Sequence, residues 1–118
     1  MPDKYLREDM KHVYAQFMDI FKKAGEAVPG YADAFMKFVG EGEKDGALSH
    51  KTKELISISL SIVQHCKFCI AFHVKEAIDA GATSQEILEA SLVAGVMGGG
   101  PAVAYFRYVL DAVTDFTS

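Results

Sequence analysis

The sequence predicts an all-α protein of about six helices, with a Cys-x-x-Cys pair at the start of a central helix. Apolar residues recur at three- and four-residue spacing along most of the 118 residues. Strand-like alternation of apolar and polar residues is absent. Ser, Thr, Gly and Pro stand where helices of ordinary length would start and stop.

The first helix is expected over about 3–27. Leu6, Met10, Val13, Phe17 and Phe21 form one apolar stripe there, and Pro29-Gly30 ends it. A second helix, about 30–41, carries Tyr31, Phe35 and Phe38, and residues 40–46 read as a polar loop punctuated by glycine. Ser49 is a natural N-cap for a third helix, about 50–64. After a short turn a fourth helix runs over about 66–80 and stops at Gly81, a suitable residue just past a helix end. Thr83 and Glu86 have the spacing of a capping box opening a fifth helix, about 84–97. Gly98-Gly99-Gly100 then reads as a tight interhelical corner rather than a phosphate loop, because it follows a helix and lacks the Lys and Ser/Thr of a P-loop. Pro101 suits the first turn of a sixth helix, about 101–116.

Residues 1–118 are read as one domain, long enough to bury its own core. Half the residues are apolar and 24% are charged, an ordinary globular profile. Net charge is −4 and no long basic run exists, so nucleic acid is not an expected partner. Lys22, Lys23, Lys51 and Lys53 read as solvated helix faces, and the Phe and Met stripes as core. The first dozen residues are charged from residue 3 and hold no apolar signal core. Uninterrupted apolar runs fall well short of the ~20 residues of a membrane span. No membrane association and a cytoplasmic location are therefore expected. Two cysteines, with two residues between them, do not resemble a secreted disulfide framework. The fifth helix, with Ile87, Leu88, Leu92, Val93, Val96 and Met97, has almost no polar face after Glu89. The sixth is apolar around much of its circumference. Helices apolar on most sides must be covered on most sides, so a homo-oligomer is expected.

Cys66 and Cys69 share a helix face at a Cα separation of roughly 5 Å, within disulfide reach. His73 lies one turn beyond Cys69 on that face, where an imidazole can hydrogen-bond the sulfur and accept its proton. The thiolate is the reactive form, so such a base activates a thiol. Cys66 sits at the helix start, where the dipole and free N–H groups favour negative charge. The sequence thus offers two devices for acidifying a thiol and leaves open which dominates. Glu54 lies on the preceding helix, on a stripe with Ser57, Ser61 and His65. At ~1.5 Å per residue, Glu54 and His73 sit roughly 14 and 11 Å from the turn of an antiparallel hairpin. At that height a carboxylate can orient His73 or relay its proton. His65 reads as a turn residue. His12 and His50 have no partner pattern and read as surface residues.

Glu54, Cys66, Cys69 and His73 stand in the pattern E-x11-C-x2-C-x3-H. This resembles the signature of alkylhydroperoxidase D-like proteins of the carboxymuconolactone decarboxylase family. Residues 51–55, 77–87 and the Gly98–Pro101 segment are also similar, so the resemblance covers about 47–104. It implies an all-α fold assembling as trimers or hexamers, and thiol-dependent reduction of a hydroperoxide or a disulfide. By position, Cys69 would be the attacking thiol, Cys66 the resolving thiol, His73 the proton acceptor and Glu54 its support. An external thiol reductant would restore the dithiol, and no metal or organic cofactor is expected. Phe68 stands where related motifs often carry a second histidine, which simplifies the relay and bears on peroxidase efficiency. Three rivals are a lactone decarboxylase, whose chemistry needs no thiols; a zinc site of Cys66, Cys69 and His73 with His65 or Glu54; and a structural oligomer with a vestigial site.

Overall fold

The computed structural model describes residues 7–118. Five α-helices follow in order: α1 (Met10–Ala27), α2 (Tyr31–Glu43), α3 (His50–Val63), α4 (Lys67–Asp79) and α5 (Ser84–Thr117). There is no strand among the described residues. The sixth expected helix is the second arm of α5, which runs on through the glycine triplet with a kink at Gly99.

The end groups explain most boundaries. Asp9 caps α1, accepting the His12 N–H, so α1 starts at Met10 rather than near residue 3; Leu6 lies outside the described residues. Residues 7–10 are instead tied to the end of α5. Arg7 pairs with Asp111 and Asp115, and the Met10 N–H donates to Asp115 Oδ2 at 2.8 Å. Ser49 caps α3 by accepting the Thr52 N–H. Thr83 and Glu86 form the full capping box of α5. Gly81 takes φ +94°, and the Ala82 N–H reaches back to the Ala77 carbonyl, closing α4 with a six-residue loop.

α3, α4 and α5 pack on one another, α1 covers α4 and α5, and α2 rests on α1 and one edge of α3. The core is Ile58, Ile62, Ile70, Val74, Ile87 and Val109 with small residues between them. The aromatic stripe of α2 is not part of it. No α2 residue is buried, and Phe38 is 75% exposed, because only one edge of this helix meets the bundle. α5 is long and apolar enough, by length and composition alone, to cross a membrane. Ser, Gly and Pro interleave its apolar residues, so it holds no long uninterrupted apolar run, and it packs on α3 and α4.

Gly99 has φ +65° and ψ −152°, a combination essentially closed to residues with a Cβ. A Cβ there would touch nothing within 4 Å, so the constraint is in the backbone alone. The kink falls just before Pro101, which has no N–H to donate to the ladder of a regular helix. Gly99→Ala is expected to cost about 1–3 kcal/mol in urea denaturation. Gly100→Ala, equally free of contacts and without a positive φ, is expected to be neutral or slightly stabilising. Equal effects of the two substitutions would contradict the assigned strain.

Candidate active site

The α3–α4 turn sets the geometry. His65 has φ +54°, and the Cys66 N–H donates to the Ser61 carbonyl at 3.1 Å. This reverses the chain tightly, with the His65 ring stacked on Tyr105 at 4.8 Å. His65 is therefore a turn residue and departs from the Glu54–Ser57–Ser61 stripe. Cys66 becomes the N-cap of α4, its Sγ accepting the Cys69 N–H at 3.1 Å. Cys66 and Cys69 are joined as a disulfide with a Cα separation of 5.2 Å.

Glu54 is 2% exposed and His73 faces it across the hairpin, its Nδ1 2.6 Å from Glu54 Oε1. A carboxylate only accepts, so Nδ1 carries the hydrogen and Nε2 is left as the proton-accepting nitrogen. The carboxylate and imidazole expected at matching height do meet. His73 makes no hydrogen bond to Cys69 in the disulfide state, in which the sulfur has no proton to give.

Cys69 and His73 nevertheless line the same two cavities. One, of about 120 Å³, is walled by Phe17, Phe21, Phe35, Met36, Val39 and Phe72. The other, of about 210 Å³, is lined by Ser57, Leu60, Ser61 and Gln64. Cys66 lines neither of these two. Phe68 packs on Phe17 at 5.7 Å, so the position that could have held a second histidine is part of the aromatic packing.

Three further residues belong to the site. His50, read from the sequence as a surface residue, places Nε2 3.8 Å from Glu54 Oε2. Glu43 lies on α2, which runs two residues further than expected. It accepts the Ser57 hydroxyl at 2.6 Å through Oε1, while its Oε2 is buried without a hydrogen-bond partner. Glu76 joins them at a third cavity, of about 280 Å³. Burial, and then the nearby Glu54 charge, raise the Glu76 pKa above the usual carboxylate range. The i−4 spacing of His50 from Glu54 was a usable signal; the Glu43 contact is purely tertiary.

Two overlapping trios, Glu43–Glu54–His73 and His50–Glu54–Glu76, bring donor atoms within 4.8 Å of one another. In the first, a cation would have to displace the 2.6 Å hydrogen bond. In the second, a protonated His50 itself supplies the positive charge. The zinc set suggested by the sequence requires thiolates, and both sulfurs are joined to each other.

Known proteins share the fold that carries this site. Residues 29–112 match the carboxymuconolactone decarboxylase family. An uncharacterised protein of Cupriavidus necator is 31% identical over 97 residues, covering 82% of this chain and 86% of that protein. The apo structure of a carboxymuconolactone decarboxylase family protein from Legionella pneumophila superimposes with a TM-score of 0.87 at 33% identity, over 92% of this chain and 97% of that one. A Thermotoga maritima member of the family, with a suggested part in the antioxidative response, gives 0.74 at 27% identity, over 86% of this chain and 90% of that one. With its helical fold and its matched residues 29–112, the chain belongs to the carboxymuconolactone decarboxylase family.

Proposed function

We propose that the chain is a thiol-dependent peroxidase or disulfide oxidoreductase working in the cytoplasm. One observation carries the reading: Cys69, half of a disulfide, shares two cavities with His73, whose other face is hydrogen-bonded to the buried Glu54.

In the reduced protein His73 Nε2 takes the Cys69 proton. The thiolate attacks the outer peroxide oxygen, and the O–O bond breaks. The leaving alkoxide takes back the proton held on His73 Nε2, giving an alcohol and a sulfenic acid on Cys69. The Cys66 sulfur then attacks Cys69, water leaves, and the disulfide forms. An external dithiol supplies two electrons and two protons by exchange, restoring both thiols. Glu54 holds the ring in the correct tautomer and stabilises its cation, supporting the proton transfer that His73 performs. The same disulfide and relay serve disulfide reduction, and Phe68 in place of a second histidine makes that the competing outcome.

Peroxide consumption with dithiothreitol as donor tests the assignment. Cys69→Ser is expected to abolish it. Cys66→Ser should retain one turnover per chain and lose the rest. His73→Ala should slow single turnover by roughly 100-fold or more, and Glu54→Gln by less. If wild type reduces a small disulfide but no peroxide, the oxidoreductase branch is correct. If the double Cys66→Ser, Cys69→Ser variant decarboxylates a carboxylactone as fast as wild type, the thiol reading fails in favour of the lactone branch.

Assembly as a trimer or hexamer belongs to the same proposal. Val93, Val96 and Met97 on α5 are 61%, 81% and 86% exposed, and Ile56 and Leu60 on α3 stand half-exposed beside Val93. Isolated chains rarely leave large apolar patches in water. Light scattering coupled to size exclusion is expected to give a multiple of 12.9 kDa. A clean monomer at micromolar concentration would contradict this.

A further inference from the structure

Glu54 is approached by imidazoles on both sides, and only one of them belongs to the relay just described. His73 holds Oε1 at 2.6 Å, and His50 stands 3.8 Å from Oε2. The His50 ring is fixed from behind, its Nδ1 lying 2.6 Å from the Glu43 main-chain carbonyl. A carbonyl can only accept, so Nδ1 carries a hydrogen in both charge states, and Nε2 is the atom that titrates. Neutral His50 turns a lone pair toward the carboxylate. Protonated His50 turns an N–H toward it.

The surroundings favour the cation. Glu43 faces His50 from α2, Glu54 from α3 and Glu76 from α4, while Asp45 in the α2–α3 connection accepts the His50 main-chain N–H. α1 adds Tyr14 and Met18 to the cavity, and no Lys or Arg lines it. The Glu43 carbonyl contact chiefly raises the His50 pKa; burial opposes it, and the Glu54, Glu76 and Glu43 charges each add a smaller upward push. Exposure also steps outward: the side chain of Glu54 is 2% exposed, that of His73 18% and that of His50 35%. The cavity at His50 holds neither sulfur in its lining, so His50 meets solvent away from the disulfide.

We propose that His50 is a positioning residue that couples the Glu54–His73 pair to solvent pH through a cavity that the disulfide does not line. The proposal rests on the thiol reading above. When His50 is cationic, the single Glu54 charge is divided between two imidazoles, and His73 holds a proton less well. When His50 is neutral, Glu54 serves His73 alone, and the Cys69 thiolate paired with protonated His73 is favoured. Thiol reactivity therefore rises as pH climbs through the His50 titration.

The test is the pH profile of Cys69 alkylation by iodoacetamide in reduced Cys66→Ser protein, which reads the thiolate without requiring turnover. His50→Asn keeps an amide N–H for the Glu43 carbonyl and removes the titrating nitrogen. His50→Gln keeps a group near Glu54 and gives up the Glu43 contact. Both are expected to lose the acid-side step, reacting roughly three- to tenfold faster than the Cys66→Ser parent at about pH 6. They should converge with it within about twofold at about pH 8. An unchanged profile in both variants, or a uniform loss at every pH, would overturn the role of His50. A parent protein whose Cys69 reacts only in the ordinary thiol range would instead overturn the thiol reading itself, so the two failures are distinguishable.

Discussion

The hydrogen bond between Glu54 and His73 is the interaction around which the α3–α4 hairpin is organised. A carboxylate with almost no exposed surface is costly to bury unless it is paired. Its partner lies nineteen positions away in sequence, so the turn between them must deliver the ring to a fixed height. Left-handed His65 and the Cys66-to-Ser61 loop closure do this, and the same turn makes Cys66 the cap of α4. One tight reversal thus aligns the carboxylate, the imidazole and both sulfurs. Lengthening it by a residue would rotate α4 by about 100° and separate them.

The environment of Cys69 is two-sided. Aromatic residues of α1, α2 and α4 face it from one side, and serines of α3 from the other. The aromatic side includes Phe35 and Met36 of α2, the helix with the least purchase on the bundle. On the polar side Ser61 donates to the Ser57 carbonyl within α3, and the Ser57 hydroxyl donates to Glu43 of α2. A helix with no buried residue is the element that local opening would release first, so access from the apolar side can change while the relay stays rigid.

Much of this was legible in the sequence. Helical spacing put Cys66, Cys69 and His73 on one element, and residue rise put Glu54 at the height of His73, where the hydrogen bond forms. Ser49, Gly81 and the Thr83–Glu86 box mark real ends because each satisfies specific main-chain groups nearby. What escaped depends on tertiary context. Glu43 sits in a glycine-rich run that local propensity assigns to a loop, yet α2 continues to it and Ser57 binds it. His50 has its partner on its own helix face, but its orientation comes from a carbonyl of α2. The glycine triplet read as a corner because nothing local shows that a single residue, Gly99, can absorb the whole kink. The α2 aromatics have core-like spacing, but that helix presents only an edge to the bundle.

In the proposed chemistry, buried Glu54, acting through His73, makes Cys69 a reactive thiolate. The most direct measurement is the ultraviolet absorbance of the thiolate against pH in reduced Cys66→Ser protein, with and without Glu54→Gln. Ionisation is expected well below the ordinary thiol value of about 8.5, with a return toward it when Glu54 loses its charge. Ionisation near 8.5 in both proteins would contradict it.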